Sequence, residues 1–393
     1  MPFLPTAFHR LLEPLDRRVL KRIVAEHRGD HGVGAGDSAW TCERHLKALL
    51  FAQFAGLKSL REIVEALSAR PAGLYHLGLR APRRTTLSDA SAARPAAVFR
   101  DLSSFLMGQL TRSSRQEAQT LVRLLDATPI PLKDGRFTWT EADARCRGLK
   151  LHVLYDPRAV HPVHFAVTSP KVSDIGGGRV MPLEAGATYV FDKGYTDYNW
   201  WQEIVTTGAL FVTRLKSNVR RRNLQERPVI GENILADRTL RIGHKKPRGG
   251  ATNQLYDTDL REVVVIRPGK APLHLVTNDH IRSATQIAEL YKERWQIELF
   301  FKWIKQNLKI KAFFGRSENA VKVQIYAALI AFCLLRLFQK THASSHKDGA
   351  KSLIARLRVA LFHPFDLSQR KVGRPRPPQC RTPSPQLAFS LGF

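Results

Sequence analysis

The spacing of apolar and polar positions changes partway along the chain. Up to about residue 115 it is helical: apolar side chains recur three and four apart in residues 45–51 and again in 59–67. Ser59 followed by Glu62 is an S-x-x-E capping pattern that starts the second of these helices. In residues 83–90, two arginines, two threonines, Ser88 and Asp89 precede another helical run, a terminus that suits a phosphate as well as an ordinary N-cap. From about 120 the apolar runs shorten to strand length. Residues 121–125 end at Asp126; 149–155 and 160–168 flank the turn Asp156-Pro157; 188–191 end at Asp192. A helical stretch with Trp200, Trp201 and Ile204 leads to a fifth strand at 209–213. Between roughly 215 and 275, further strands at 263–266 and 273–276 and the basic stretch 244–250 predict a β-rich insertion with a flexible basic loop. Ser283-x-x-Gln286 predicts the start of one long helix reaching about Lys309, followed by an apolar helix over 321–338. The Pro- and Arg-rich stretch 373–378 predicts a disordered tail.

These elements give a mixed α/β chain in three parts: a helical region over 1–115, an α/β region over 116–340 and a basic C-terminal region over 341–393. Charge narrows its partners. The 62 Lys and Arg against 34 Asp and Glu leave a formal net charge of +28, a self-repulsion that a polyanion relieves, and nucleic acid is the polyanion it points to. The longest apolar stretch, 327–335, is too short for a bilayer span, and the N-terminus carries no basic-then-apolar leader. Cys42, Cys146, Cys333 and Cys380 are scattered, with spacing that fits neither a disulfide framework nor a zinc site; a reducing cytoplasm is the expected compartment.

Candidate chemistry lies in three carboxylates. Asp126 and Asp192 each follow an apolar strand, and pairing of those strands brings their ends together; Glu298 lies in the long helix. Three hard oxygen donors suit Mg²⁺ or Mn²⁺, and a pair of such ions about 4 Å apart supports phosphodiester chemistry. On one continuous helix, Tyr291, Arg294, Glu298 and Lys305 fall within an arc of roughly 60° and form a stripe roughly 21 Å long. Tyr291 and Lys305 then stand roughly 10 Å from Glu298, placed for neighbouring phosphates, while Arg294 steadies the nearest one. Arg214 and Lys216, after the fifth strand, are further candidate DNA contacts. His152 and Lys150 lie near the acids, with packed or solvated roles expected for them.

The spacing Y-x2-R-x3-E-x6-K resembles the Y-R-E-K signature of DDE transposases of bacterial insertion sequences. Residues 192–198 (DKGYTDY), 211–216 (FVTRLK) and 275–278 (LVTN) resemble the family's segments around and after its second Asp, and Gln53, Ser59-Leu60-Arg61 and Leu87-Ser88-Asp89-Ala90 its helical DNA-binding region. Ala127 departs from the Ser or Gly at least as common there. The resemblance implies a ribonuclease-H-like catalytic domain with a β-rich insertion over about 215–275, preceded by a helical DNA-binding domain. It further implies Asp126, Asp192 and Glu298 as ligands of two Mg²⁺ or Mn²⁺ ions. Its substrates would be double-stranded DNA, both element ends and target: the enzyme binds terminal inverted repeats, cuts at the ends and joins the 3′ ends to target. A homodimer on DNA, a nucleoid-associated location and no membrane follow. The alternatives are a domesticated DNA-binding protein of the same fold without cutting activity, and a basic packaging or ribosomal protein.

Overall fold

The computed structural model describes residues 5–36, 38–69, 71–115, 121–132, 135–143, 146–247, 250–308, 313–342 and 350–363. Helices come first: α1 (Ala7–Leu12), α2 (Arg17–Glu26), α3 (Cys42–Ala55), α4 (Leu60–Ser68), α5 (Pro71–Tyr75), α6 (Arg84–Ala93) and α7 (Ala96–Arg115). Ser59 caps α4 by accepting from the Glu62 N–H at 3.2 Å, while the Glu62 carboxylate takes the N–H of Lys58 at 2.7 Å rather than that of the cap itself. At α6 no side chain caps the helix, so its exposed Arg83 and Arg84 do not act as an ordinary N-cap.

Next come β1 (Leu121–Pro131), β2 (Glu141–Ala142), β3 (Arg147–Asp156), β4 (His161–Thr168), α8 (Asp174–Arg179), β5 (Ala187–Phe191), a 3₁₀ turn at Lys193–Tyr195, α9 (Tyr198–Thr206) and β6 (Leu210–Arg214). β4, β3 and β1 pair antiparallel, and β1, β5 and β6 run parallel. This order, three antiparallel strands followed by two parallel ones, is the ribonuclease-H-like arrangement. The strand expected to stop at Asp126 runs on to Pro131. Pro129 and Pro131 are tolerated because β5 pairs β1 only as far as Leu125, which leaves that edge of β1 without a ladder to break.

The insertion comprises β7 (Arg221–Glu226), β8 (Ile234–Ile242), β9 (Leu260–Arg267) and β10 (Lys270–Thr277). It extends the same sheet: β10 pairs antiparallel with β6, giving the order β2-β3-β1-β5-β6-β10-β9-β8-β7, with β4 beside β3. Exposed, charged β7 lacks the alternation of a half-buried strand, which is why the hydrophobic pattern missed it. α10 (Ala284–Glu293), α11 (Trp295–Asn307), α12 (Glu318–His342) and α13 (Ala350–Ala360) complete the chain.

Two apolar cores flank the sheet. One joins Leu124, Val153, Val190, Val212, Val263 and Leu275 to α10, α11, α12 and the N-terminal helices. The other packs Leu125, Tyr189, Phe191, Phe211 and Val276 against Trp200, Trp201 and Ile204 of α9. Residues 318–341 of α12 are long and apolar enough to cross a membrane, but most of that stretch is buried within the protein, between α7 and α3 among others. Among the described residues Cys42, Cys146 and Cys333 are free thiols. Cys380, Lys309 and the stretch 373–378 lie outside the described residues, as does part of the basic loop, at 248–249.

Candidate active site

The parallel register of β1 and β5 runs from Leu121↔Ala187 to Leu125↔Phe191. Asp126 and Asp192 are the next residues on each strand, so their backbones are neighbours at a strand spacing of about 4.8 Å. Side chains alternate along a strand. Leu124 and Val190 belong to the core under α10 and α11, whereas Leu125 and Phe191 belong to the core under α9. Asp126, and Asp192 with its extended backbone (φ −81°, ψ 167°), are therefore directed to the α10–α11 face. Asp126 Oδ1 accepts from the Ala127 N–H at 2.8 Å, and Asp192 caps the 3₁₀ turn by accepting from the Lys193 N–H.

Glu298 approaches on that face from α11. The Ser283–Gln286 capping box forms as expected, but the helix it starts does not continue unbroken. It stops at Glu293 and restarts at Trp295, with i→i+3 bonds from Arg294 N to Tyr291 O and from Ile297 N to Arg294 O, both 3.2 Å. The stripe reasoned from one straight helix is corrected accordingly. Arg294, at the break, reaches both acids: Nη2 lies 2.7 Å from Glu298 Oε1 and Nη1 3.8 Å from Asp126 Oδ2. The residue expected to steady a phosphate thus bridges two of the acids directly. Tyr291 stacks under the same guanidinium, 5.8 Å from ring centroid to Cζ. Lys305 donates to the Thr128 hydroxyl, on the same face of β1 as Asp126.

Burial pushes the Asp126 carboxyl up to about 6, and the charges of Glu298 and Asp174 add to that, against the pull of Ala127 N–H and Arg294. Burial raises the Tyr291 hydroxyl, helped by the charge of Asp192, while Arg294 and Arg214 oppose it. Asp192, Arg214, Tyr291, Arg294 and the exposed Trp295 line one cavity of about 830 Å³ between α10 and the insertion strands β8 to β10. Lys216 is not part of it; it borders a separate depression with Tyr198 and His244.

Lys150 is partly buried and His152 fully buried, and both are bonded: Lys150 Nζ lies 3.3 Å from Asp174 Oδ1, and His152 Nε2 3.0 Å from Thr168 Oγ1. Sequence reasoning overlooked Asp174 and Tyr195. Asp174 follows no apolar strand, and the only sign of it was the Ser173-Asp174 helix start before three glycines.

The donor chemistry of Asp126, Asp192 and Glu298 fits a hard divalent cation. As the side chains lie, among the described residues no three of His, Cys, Asp and Glu share a ligating distance. Arg294 supplies the positive charge between Asp126 and Glu298, and a cation shared by them requires that guanidinium to turn aside.

Comparison with known proteins follows the same lines. Residues 117–334 match the transposase DDE domain, and residues 5–80 match a domain of unknown function. A protein of Sinorhizobium fredii named as transposase y4zB is 44% identical over 262 residues, 65% of this chain and 71% of its own. The Geobacillus stearothermophilus protein named as transposase for insertion sequence element IS5377 is 29% identical, covering 65% of this chain and 68% of its own. A Synechocystis protein named for element IS4SA is 25% identical, covering 64% and 71%. A piggyBac transposase synaptic complex with hairpin DNA aligns with TM-score 0.49 at 9% identity, over 90% of this chain and 79% of that one. With the DDE domain spanning more than half of its length, this chain belongs to the DDE transposase family.

Proposed function

We propose that the protein binds the terminal inverted repeats of an insertion sequence, cuts the DNA at the element ends and joins the freed 3′ ends to target DNA. The family works with divalent metal ions, generally Mg²⁺. Asp126, Asp192 and Glu298 are the proposed ligands here, for two Mg²⁺ or Mn²⁺ ions. Bound between them, such ions would activate the attacking oxygen and neutralise charge on the leaving one. The observation that carries this reading is the meeting of Asp126 and Glu298, remote in sequence, on the one guanidinium of Arg294, beside the strand that ends in Asp192.

The chain's own side chains do the positioning. Arg294, released from the carboxylates, is placed for a phosphate of the bound strand. Tyr291 and Arg214 flank the cavity beside Asp192, and Lys305, held on Thr128, adds positive charge farther along β1. Lys216 is assigned to DNA at a distance from the acids. Joining two ends calls for two copies, so the working form is a homodimer on double-stranded DNA, in the cytoplasm at the nucleoid. A domesticated, non-cutting DNA binder is the reading this displaces: it has no need of three acids or of a cation bridging two of them.

Asp192→Ala tests the assignment. Cleavage of DNA bearing the element ends should fall by more than the tenfold to about hundredfold that outer-shell changes cost, with DNA binding retained. Normal cutting by this variant would remove Asp192 from the site.

A further inference from the structure

A fourth acid stands beside the three. α8 lies on the α9 side of the sheet, pressed close by glycines: a Cβ on Gly177 would come within 2.0 Å of His152 Nδ1, and one on Gly178 within 3.1 Å of the Tyr195 ring. That close seat brings Asp174, at the start of α8, to the point where β5 has ended and no strand screens β1 on that side. Asp174 Oδ1 is 3.3 Å from Lys150 Nζ, and Oδ2 lies against Gly194, two residues past Asp192. Near these groups lies Tyr195. It is only 1% exposed, its Oη has no hydrogen-bond partner among the described residues, and the charges of Asp126, Asp174 and Asp192 act on it. A buried hydroxyl left without a partner is costly, and one facing three carboxylates marks a place for a polar guest.

We infer that Asp174 belongs to the charge set that attracts the divalent cation, acting on it across water rather than as a ligand, with Tyr195 Oη ordering that water. The inference rests on the cation site proposed above. An outer role follows from geometry: Asp174 approaches from the opposite side of the sheet to Glu298, and Lys150 already engages one of its oxygens. Asp174 and Tyr195 are thus positioning residues, and Lys150 partly offsets the charge of Asp174.

The test is Mn²⁺ affinity of the full chain without DNA, by calorimetry, with thermal midpoints to confirm folding. Asp174→Asn should weaken Mn²⁺ binding by about tenfold, the low end of what outer-shell changes cost, and Tyr195→Phe should weaken it in the same direction. Lys150→Met should leave the affinity undiminished, because it removes a cation from beside the site. Equal losses in Asp174→Asn and Lys150→Met would show that the pair only holds the fold, which overturns the inference. Wild-type affinity in Asp174→Asn alongside a large loss in Asp192→Asn would overturn it while sparing the cation site. No loss in Asp192→Asn would sink both. Should Asp174→Asn fail to fold, Tyr195→Phe decides: a loss at unchanged thermal midpoint supports the inference, and wild-type affinity overturns it.

Discussion

Arg294 holds two carboxylates with one guanidinium, in a setting where Asp126 is 23% exposed and Arg294 13%. Removing that charge leaves two acids repelling each other across a partly dry gap, where a divalent cation relieves more than it does beside the arginine. Arg294→Ala should therefore tighten Mn²⁺ binding to the protein several-fold while slowing end cleavage; calorimetry beside a cleavage assay checks this, and weaker Mn²⁺ binding would contradict it. Lys305→Ala, whose amine sits on Thr128, should slow cleavage with little change in cation affinity. The acids Asp126 and Asp192 were legible in the sequence because apolar runs point straight at them. The bridge by Arg294 was not, because spacing along a helix fixes where a Cα stands and not how far a long side chain reaches. Asp174 escaped for a related cause: its position comes from glycines pressed against His152 and Tyr195, a tertiary contact with no periodic trace.

Elements show the same division. Strands with an apolar face, β3 to β6 and β9 and β10, were readable from their apolar runs, and so were α4 and α10 with their capping serines. β7, an exposed edge, and the end of β1, with its two prolines, owe their form to the neighbours they pair with or lack. The break between α10 and α11 contains neither Pro nor Gly, so nothing local announces it. At α8 the close packing makes its own prediction: Gly177→Ala drives a Cβ into His152 and should destabilise the fold by about 1–3 kcal/mol, measured by urea unfolding. In the helical core, His45 of α3 is fully buried, 3.1 Å from Ser91 Oγ, with its ring edge-on to Phe99. Burial, with the charge of Arg94, holds its imidazole down to about 3 from an ordinary 6.5. The unfolded chain binds that proton first, so the stabilisation is complete above pH 6.5 and is lost as the pH falls below it. Unfolding free energy should drop by about 1–2 kcal/mol from this group between pH 7.5 and 5.5, and His45→Gln should flatten that slope. An unchanged slope would refute the assignment.

Over the whole molecule, the expected α/β class was plain from the hydrophobic pattern, whereas the joining of parts was not. The N-terminal helices share one core with α12 and the sheet, so a chain cut before residue 116 should expose that apolar face and fail to give a soluble monomer. The excess of 62 basic over 34 acidic residues sets the salt response. Binding to element-end DNA should fall by about 10³- to 10⁵-fold between 50 and 200 mM salt if six to ten phosphates are engaged, and a flat response would exclude that mode. Continuity of the sheet has one more consequence. Asp126 sits on β1 and Asp192 directly follows β5, strands hydrogen-bonded into a ladder that runs from β4 across to β7, so their backbones form a fixed jaw. Glu298 instead rides on α11, which restarts just after the interruption at Arg294 and is seated in the core by Ile297, Phe300, Phe301 and Ile304. Its place against that jaw is set by side-chain packing and not by the ladder, so loosening that packing would disturb the site without touching an acid.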